Sequence, residues 1–261
     1  MIFDTHAHYD DSAFDEDRES LIKRLPSFNV GSFVNVGASL RGSEESVKLS
    51  QQFENVYAAA GIHPDECSSM DETVLARIKE LALLPRTLAI GEIGLDYHGF
   101  EIYDNKPSKE IQKKWFIRQL ELAKELDMPV IVHSRNACED TLSVMKTSGI
   151  KDAVIHCFSY SVETAREYVD MGYYLGFGGS TTYEGQKKIS KVLKAVPYDR
   201  ILLETDCPYL SPVPKRGERN FSGNLKYVVN KIAEIKGIGE ADLEDITWQN
   251  ACRFYRIKEK K

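Results

Sequence analysis

A chain of 261 residues that is 42% hydrophobic and 28% charged can bury a sizeable core behind a polar surface, and its length fits a single large domain spanning residues 1–261. A formal charge of −6 counts against a scaffold that grips nucleic acid along many phosphates, because that task calls for a basic face. It does not exclude an enzyme that handles one phosphate at a time.

No apolar run approaches the roughly 20 residues needed to cross a bilayer. The first residues do not read as a basic segment followed by an apolar stretch and a cleavage site. The cysteines (Cys67, Cys138, Cys157, Cys207 and Cys252) are odd in number, widely spread and free of C-x-x-C pairs. Reduced thiols in a cytoplasmic protein are therefore expected, not a disulfide framework or a cysteine zinc site.

Taken in chain order, strands are predicted near Ile2–His6, Gly31–Val36, Val56–Ile62, Thr87–Ile93, Pro129–His133, Ala153–Cys157, Tyr173–Phe177 and Ile201–Thr205. Several are almost continuously apolar, as parallel strands covered on both faces should be. Amphipathic, charge-rich segments separate them: Asp15–Leu25, Glu44–Phe53, Asp71–Leu84, Ser108–Leu126, Cys138–Lys146, Val162–Met171 and Glu184–Ala195. Two more follow, near Asn224–Ile235 and Ala241–Tyr255. This alternation predicts an α/β protein with a closed (β/α)₈ (TIM) barrel. The alternative is an open doubly wound sheet, but no glycine-rich phosphate loop follows the first strand. Pro208–Gly223 reads as the longest irregular stretch, and Lys258–Lys261 as a solvated charged end.

Chemistry in such a barrel collects at the C-terminal ends of the strands. The first strand ends in His6 and His8, which share a face because side chains alternate along a strand. The third leads to His63, the fourth carries Glu92 and Asp96, the fifth ends in His133 and Arg135, and the sixth in His156. The eighth ends in Glu204 and Asp206. Of six histidines, only His98 misses a predicted strand end, and it falls just beyond one. Singly, each residue is compatible with a core or ion-pair role. Together, so many polar groups at buried positions call for a divalent cation.

The segments Phe3-Asp4-Thr5-His6-Ala7-His8, Gly61-Ile62-His63-Pro64, Gly91-Glu92-Ile93-Gly94-Leu95-Asp96-Tyr97, His133-Ser134-Arg135, His156-Cys157-Phe158 and Glu204-Thr205-Asp206-Cys207-Pro208-Tyr209-Leu210 together resemble the TatD family of metal-dependent hydrolases, among the amidohydrolase-like metallo-barrels. Asn250 also resembles a family position. The resemblance implies a metal-bearing (β/α)₈ barrel with DNase or 3′→5′ exonuclease activity. It further implies one metal on His6, His8 and Asp206, a second on His133 and His156, and Glu92 between them. One departure stands out: Asn220-Phe221-Ser222 occupies the loop where the family commonly has Asn, then Glu or Gln, then Pro.

The nitrogen and oxygen donors suit one or two divalent ions of Mg²⁺, Mn²⁺, Zn²⁺ or Ni²⁺. A cation pair would activate water and polarise a phosphoryl oxygen. Asp206 is the expected general base and Glu204 a supporting carboxylate. Arg135 offers a planar fork for phosphate, and His63 and Asp96 are further candidates for contact with substrate. Lys215, Arg216 and Arg219 are expected to add local positive potential. Cys157 and Cys207, beside ligands, are read as packing residues. DNA is thus the expected substrate, with no membrane partner. An ester or amide hydrolase, such as an aminoacyl-tRNA deacylase, and a non-catalytic metal-binding barrel are the competing readings.

Overall fold

The computed structural model describes residues 1–100 and 106–257; the charged end expected at 258–261 lies outside them. Eight strands form one parallel sheet in chain order: β1 (Ile2–Ala7), β2 (Val30–Val36), β3 (Val56–Ala60), β4 (Thr87–Asp96), β5 (Val130–Arg135), β6 (Ala153–Ile155), β7 (Tyr174–Phe177) and β8 (Ile201–Leu203). Helices alternate with them: α1 (Arg18–Arg24), α2 (Leu40–Gln52), α3 (Glu72–Ala82), α4 (Lys109–Glu125), α5 (Cys138–Ser148), α6 (Val162–Asp170) and α7 (Lys187–Ala195). After β8 come α8 (Leu225–Lys236) and α9 (Glu240–Phe254). This is the expected (β/α)₈ barrel. Among the described residues no helix is long and apolar enough to cross a membrane.

Four of these helices start where short polar side chains satisfy their first N–H groups. Ser39, Asp71, Ser108 and Ser161 cap α2, α3, α4 and α6 by accepting from Gly42, Val74, Ile111 and Thr164 N–H, the bond that otherwise leaves an orphan donor at a helix start. Strand ends depart from the sequence expectation in an informative way. β6 and β8 stop before His156 and Glu204, because the chain leaves the ladder there: Cys157 and Asp206 adopt left-handed backbone angles, φ 47° and 56°. β4 instead runs on to Asp96.

The contacts divide the chain into two compact units, residues 1–35 with 156–261, and residues 36–155. In the first unit β1 pairs with β2 and β7 with β8, while Ala7 bridges Cys207 in parallel register. Its core includes Tyr9, whose ring packs at 4.7 Å on Phe14 and 4.6 Å on Phe33. α9 is fastened to the β8 end by Asn250, whose amide donates to Tyr198 O (2.8 Å) and Ile201 O (2.9 Å). Both carbonyls lose that donor in Asn250→Ala, so the variant should unfold about 1–3 kcal/mol more easily in urea. An unchanged midpoint and slope would show that these bonds contribute nothing.

In the second unit β3, β4, β5 and β6 pair in parallel, with Gly94 opposite His133 and Asp96 opposite Arg135. Gly94 has φ 147°, and a Cβ there would sit 2.0 Å from His133 O. Only glycine fits that combination, which is the physical content of the Gly-Leu-Asp run. Two buried glutamines on α4, seven residues apart and so on one helix face, hold the strand ends. Gln119 exchanges hydrogen bonds with Ile62 N (2.8 Å) and O (3.0 Å); Gln112 does the same with Asp96 N (2.9 Å) and O (3.0 Å).

Candidate metal centre

In the first unit, His6 and His8 project from the end of β1 to the same side, their Nε2 atoms 3.0 Å apart. Asp206, just past β8, brings Oδ1 to 3.3 Å from His8 Nε2 and 3.7 Å from His6 Nε2. His156, just past β6, stacks on His6 with ring centroids 4.1 Å apart. His6, His156 and Asp206 offer donor atoms all within 4.8 Å of one another. Burial pushes the Asp206 carboxyl up, but a hydrogen bond from His8 and the charges of His156, His6 and His8 outweigh it, so it lies below the usual carboxylate range. An ionised carboxylate facing three imidazoles is an oxygen and nitrogen donor set of the kind that divalent cations take.

Glu204 is buried behind His156. Its Oε1 accepts from Cys157 N and lies 3.7 Å from His156 Nδ1. Its buried Oε2 has no hydrogen-bond partner among the described residues, a costly state for a carboxylate oxygen. Gly176 makes the room, since a Cβ there would stand 2.2 Å from Oε2. A carboxylate behind a ligating imidazole is a common means of fixing the ring's orientation, and the arrangement fits a cation on the ring's other nitrogen.

In the second unit His63, Glu92 and His133 form another donor group. His133 lies between carboxylates, with Nδ1 2.7 Å from Glu92 Oε1 and Nε2 3.3 Å from Asp96 Oδ2. His63 Nδ1 accepts from Asp65 N (3.2 Å). Burial, then the charge of His133, pull the His63 imidazole down to about 4, so it is neutral at pH 7. A neutral ring that accepts at Nδ1 carries its proton on Nε2, the atom 3.9 Å from Glu92 Oε1. In this geometry the His63 Nε2–H is directed toward the Glu92 carboxylate. Asp96 sits well below the usual carboxylate range, because His133 and Lys106 outweigh the effect of burial.

Arg135 is exposed and without a carboxylate partner among the described residues. Two groups escaped the sequence reading. Lys106 joins Asp65 (2.9 Å) and Asp96 (3.0 Å) in one ion-pair cluster; nothing in its local sequence sets it apart from other lysines. Asp4, buried in β1, accepts from Thr205 Oγ1 (2.6 Å), Ser222 Oγ (2.7 Å) and Thr205 N (3.0 Å). Ser222 also bonds Tyr9 Oη at 2.9 Å, and Asn220 donates to Thr205 O (3.1 Å) and Tyr209 O (2.7 Å). The loop that departs from the family pattern is thus wired to the strand ends carrying His6 and Asp206. Cys207 is fully buried, consistent with a packing role.

Burial pushes the Asp4 carboxyl from 3.8 up to about 7, against the hydrogen bonds it accepts. The folded state therefore keeps a proton that the unfolded carboxyl has lost, and stability falls as pH rises between those two values. Asp4→Asn has nothing to titrate. In chelator, the stability lead of the native chain over Asp4→Asn should shrink by up to about 1.4 kcal/mol per pH unit across that window. Urea unfolding that gives a pH-independent gap would contradict the raised value.

Known proteins can now be set beside this geometry. The model of the TatD related DNase family matches residues 3–256. The chain belongs to the TatD family. Its relatives include a Bacillus subtilis protein named "Uncharacterized metal-dependent hydrolase YabD", 42% identical over 98% of this chain and all of that protein. The Cronobacter sakazakii "3'-5' ssDNA/RNA exonuclease TatD" is 33% identical over 97% of each chain. Among solved structures, the TatD homologue YjjV of Escherichia coli aligns with a TM-score of 0.92 at 27% identity, over 98% of both chains.

Proposed function

We propose that this chain, a metal-dependent hydrolase of the TatD family, cleaves phosphodiester bonds in DNA and works inward from a 3′ end. The observation that carries the reading is the His6, His8, His156 and Asp206 donor set, with an ionised carboxylate facing three imidazoles. The exonuclease name of the Cronobacter sakazakii relative supports the choice of substrate. The proposed ligands are His6, His8, His156 and Asp206 in the first unit, and Glu92 and His133 in the second. Five free cysteines suit a reducing, cytoplasmic setting.

A bound divalent cation would lower the pKa of a water molecule and polarise the phosphoryl oxygen. Asp206 then has one oxygen for the cation and a second for the water's proton, which makes it the general base. Glu204 holds the His156 ring from behind and so fixes where its free nitrogen points. His63 donates its Nε2–H to a phosphate oxygen, Asp96 orients His133, and Arg135 presents its fork to the substrate backbone. Arg135→Ala should accordingly raise KM for DNA with little change in kcat; an unchanged KM would return Arg135 to the barrel rim.

The test is the product ladder from 5′-labelled single-stranded DNA with Mg²⁺, Mn²⁺ or Zn²⁺, run beside an aminoacyl ester. Stepwise shortening from the 3′ end is expected. Turnover of the ester alone would replace the reading with acyl hydrolysis, and no turnover of either with any cation would favour a non-catalytic barrel.

A further inference from the structure

Three basic side chains follow β8, and two of them are committed. Lys215 pairs with Glu218 at 3.1 Å. Arg219 pairs with Asp17 at 2.6 Å and donates to Ala13 O at 2.6 Å. Arg216 is exposed and has no carboxylate partner among the described residues. Its guanidinium lies instead 4.0 Å from the centre of the Tyr183 ring. A guanidinium laid on a ring keeps its N–H groups directed sideways, free to take an oxyanion.

Tyr183 is not a passive platform. It follows the 3₁₀ turn Gly179–Thr182 at the end of β7, and Thr182 Oγ1 accepts from Val213 N at 2.8 Å, which fastens that turn to the loop carrying Arg216. The Tyr183 hydroxyl is buried, yet it has no hydrogen-bond partner among the described residues. Buried hydroxyls rarely go unsatisfied. Burial pushes the pKa of this phenol up and the neighbouring Arg216 pulls it back. Gly179 of the same turn packs on the backbone of Leu210, since an added Cβ would stand 1.9 Å from Leu210 O, which seats the turn on the loop that begins at Asp206. A buried hydroxyl, a guanidinium without a carboxylate partner among the described residues, and the candidate ligand Asp206 are thus all carried by the loops after β7 and β8.

We propose that Tyr183 and Arg216 form an anion subsite beside Asp206, which takes the charged non-bridging oxygen of a backbone phosphodiester. The proposal rests on the phosphodiesterase reading and names the groups that recognise the substrate's charge. It would also give a chain of net charge −6 a local positive charge for a polyanion, in addition to that of Arg135.

The test is fluorescence anisotropy with a fluorescein-labelled single-stranded oligonucleotide, using chelator-treated and Ca²⁺-loaded protein. A matched oligonucleotide with uncharged methylphosphonate linkages serves as the control. Arg216→Ala should weaken binding of the charged strand roughly ten-fold, the scale of one charge-assisted hydrogen bond, and leave the uncharged strand nearly unaffected. Arg216→Lys should fall between, because it keeps the charge and loses the fork. Tyr183→Phe, which keeps the ring, should show a smaller loss again confined to the charged strand. Equal losses on both strands, or none on either, would overturn the subsite, as would failure of the native protein to bind the charged strand in either state. Cleavage of DNA by a protein whose binding ignores Arg216 defeats the subsite alone. Arg216-dependent binding without cleavage defeats the phosphodiesterase reading alone.

Discussion

Asp206→Asn is expected to fold normally and to lose about 10²–10⁴-fold in kcat on DNA, the usual weight of a positioned general base. The fold should survive because asparagine also tolerates the left-handed angle at this position, φ 56°, as aspartate does. The backbone bonds Asp206 N→His6 O (2.9 Å) and Tyr209 N→Asp206 O (2.9 Å) do not involve the side chain. What changes is the chemistry. The amide cannot accept the water's proton and is a poorer cation ligand than a carboxylate held ionised by His8, His156 and His6. Single-turnover rates on a labelled oligonucleotide, with cation content measured on the same samples, separate the two losses. Native-like turnover by cation-loaded Asp206→Asn would remove Asp206 from the role of base.

Adding Mn²⁺ or Zn²⁺ to chelator-treated protein should raise its melting temperature by roughly 5–10 °C at a hundred-fold excess over Kd. That follows from about 2.7 kcal/mol of linkage stabilisation and the size scaling of thermal unfolding. The donor groups make the expectation residue-specific. His133 stands between Glu92 and Asp96, and His6 between His8, His156 and Asp206. His133→Ala should therefore lower the cation content measured on dialysed protein by one site and keep the His6 site. His6→Ala should do the reverse. Cation content and melting shift identical to the native chain in both variants would mean that neither histidine is a ligand.

The fold was legible because its signals are local. Runs such as Val130–Val132 and Ala89–Ile90 are apolar without alternation, as a strand covered on both faces should be, and serine and aspartate mark four of the helix starts. Strand ends were less legible. β6 stops at Ile155 although the sequence predicts a strand that runs on to Cys157, because ladder termination there depends on a left-handed turn and on the bond from Cys157 N to Glu204, 47 residues away.

The candidate ligands were legible for a different reason: His-x-His and Glu-Thr-Asp are short, and histidines at strand ends are conspicuous. Their neighbours were not. Lys106, Asp4, Ser222 and Tyr183 are ordinary residue types in ordinary sequence, and only folding reveals that Asp4 meets Ser222 across 218 positions. Of the basic run after β8, the sequence offers three equivalent cations. The structure spends Lys215 on Glu218 and Arg219 on Asp17, and leaves Arg216 on an aromatic ring.

By itself, then, the order of residues determined the alternating elements, the barrel and the choice of candidate donor side chains, because hydrophobic period, capping and residue chemistry are properties of neighbours along the chain. Tertiary structure alone decided which donors stand together, how burial and neighbouring charges shift Asp206, Asp96 and His63, and which of the three cations after β8 is left without a carboxylate partner. Those outcomes depend on burial and on charges brought close from distant positions, and neither quantity exists until the chain has folded.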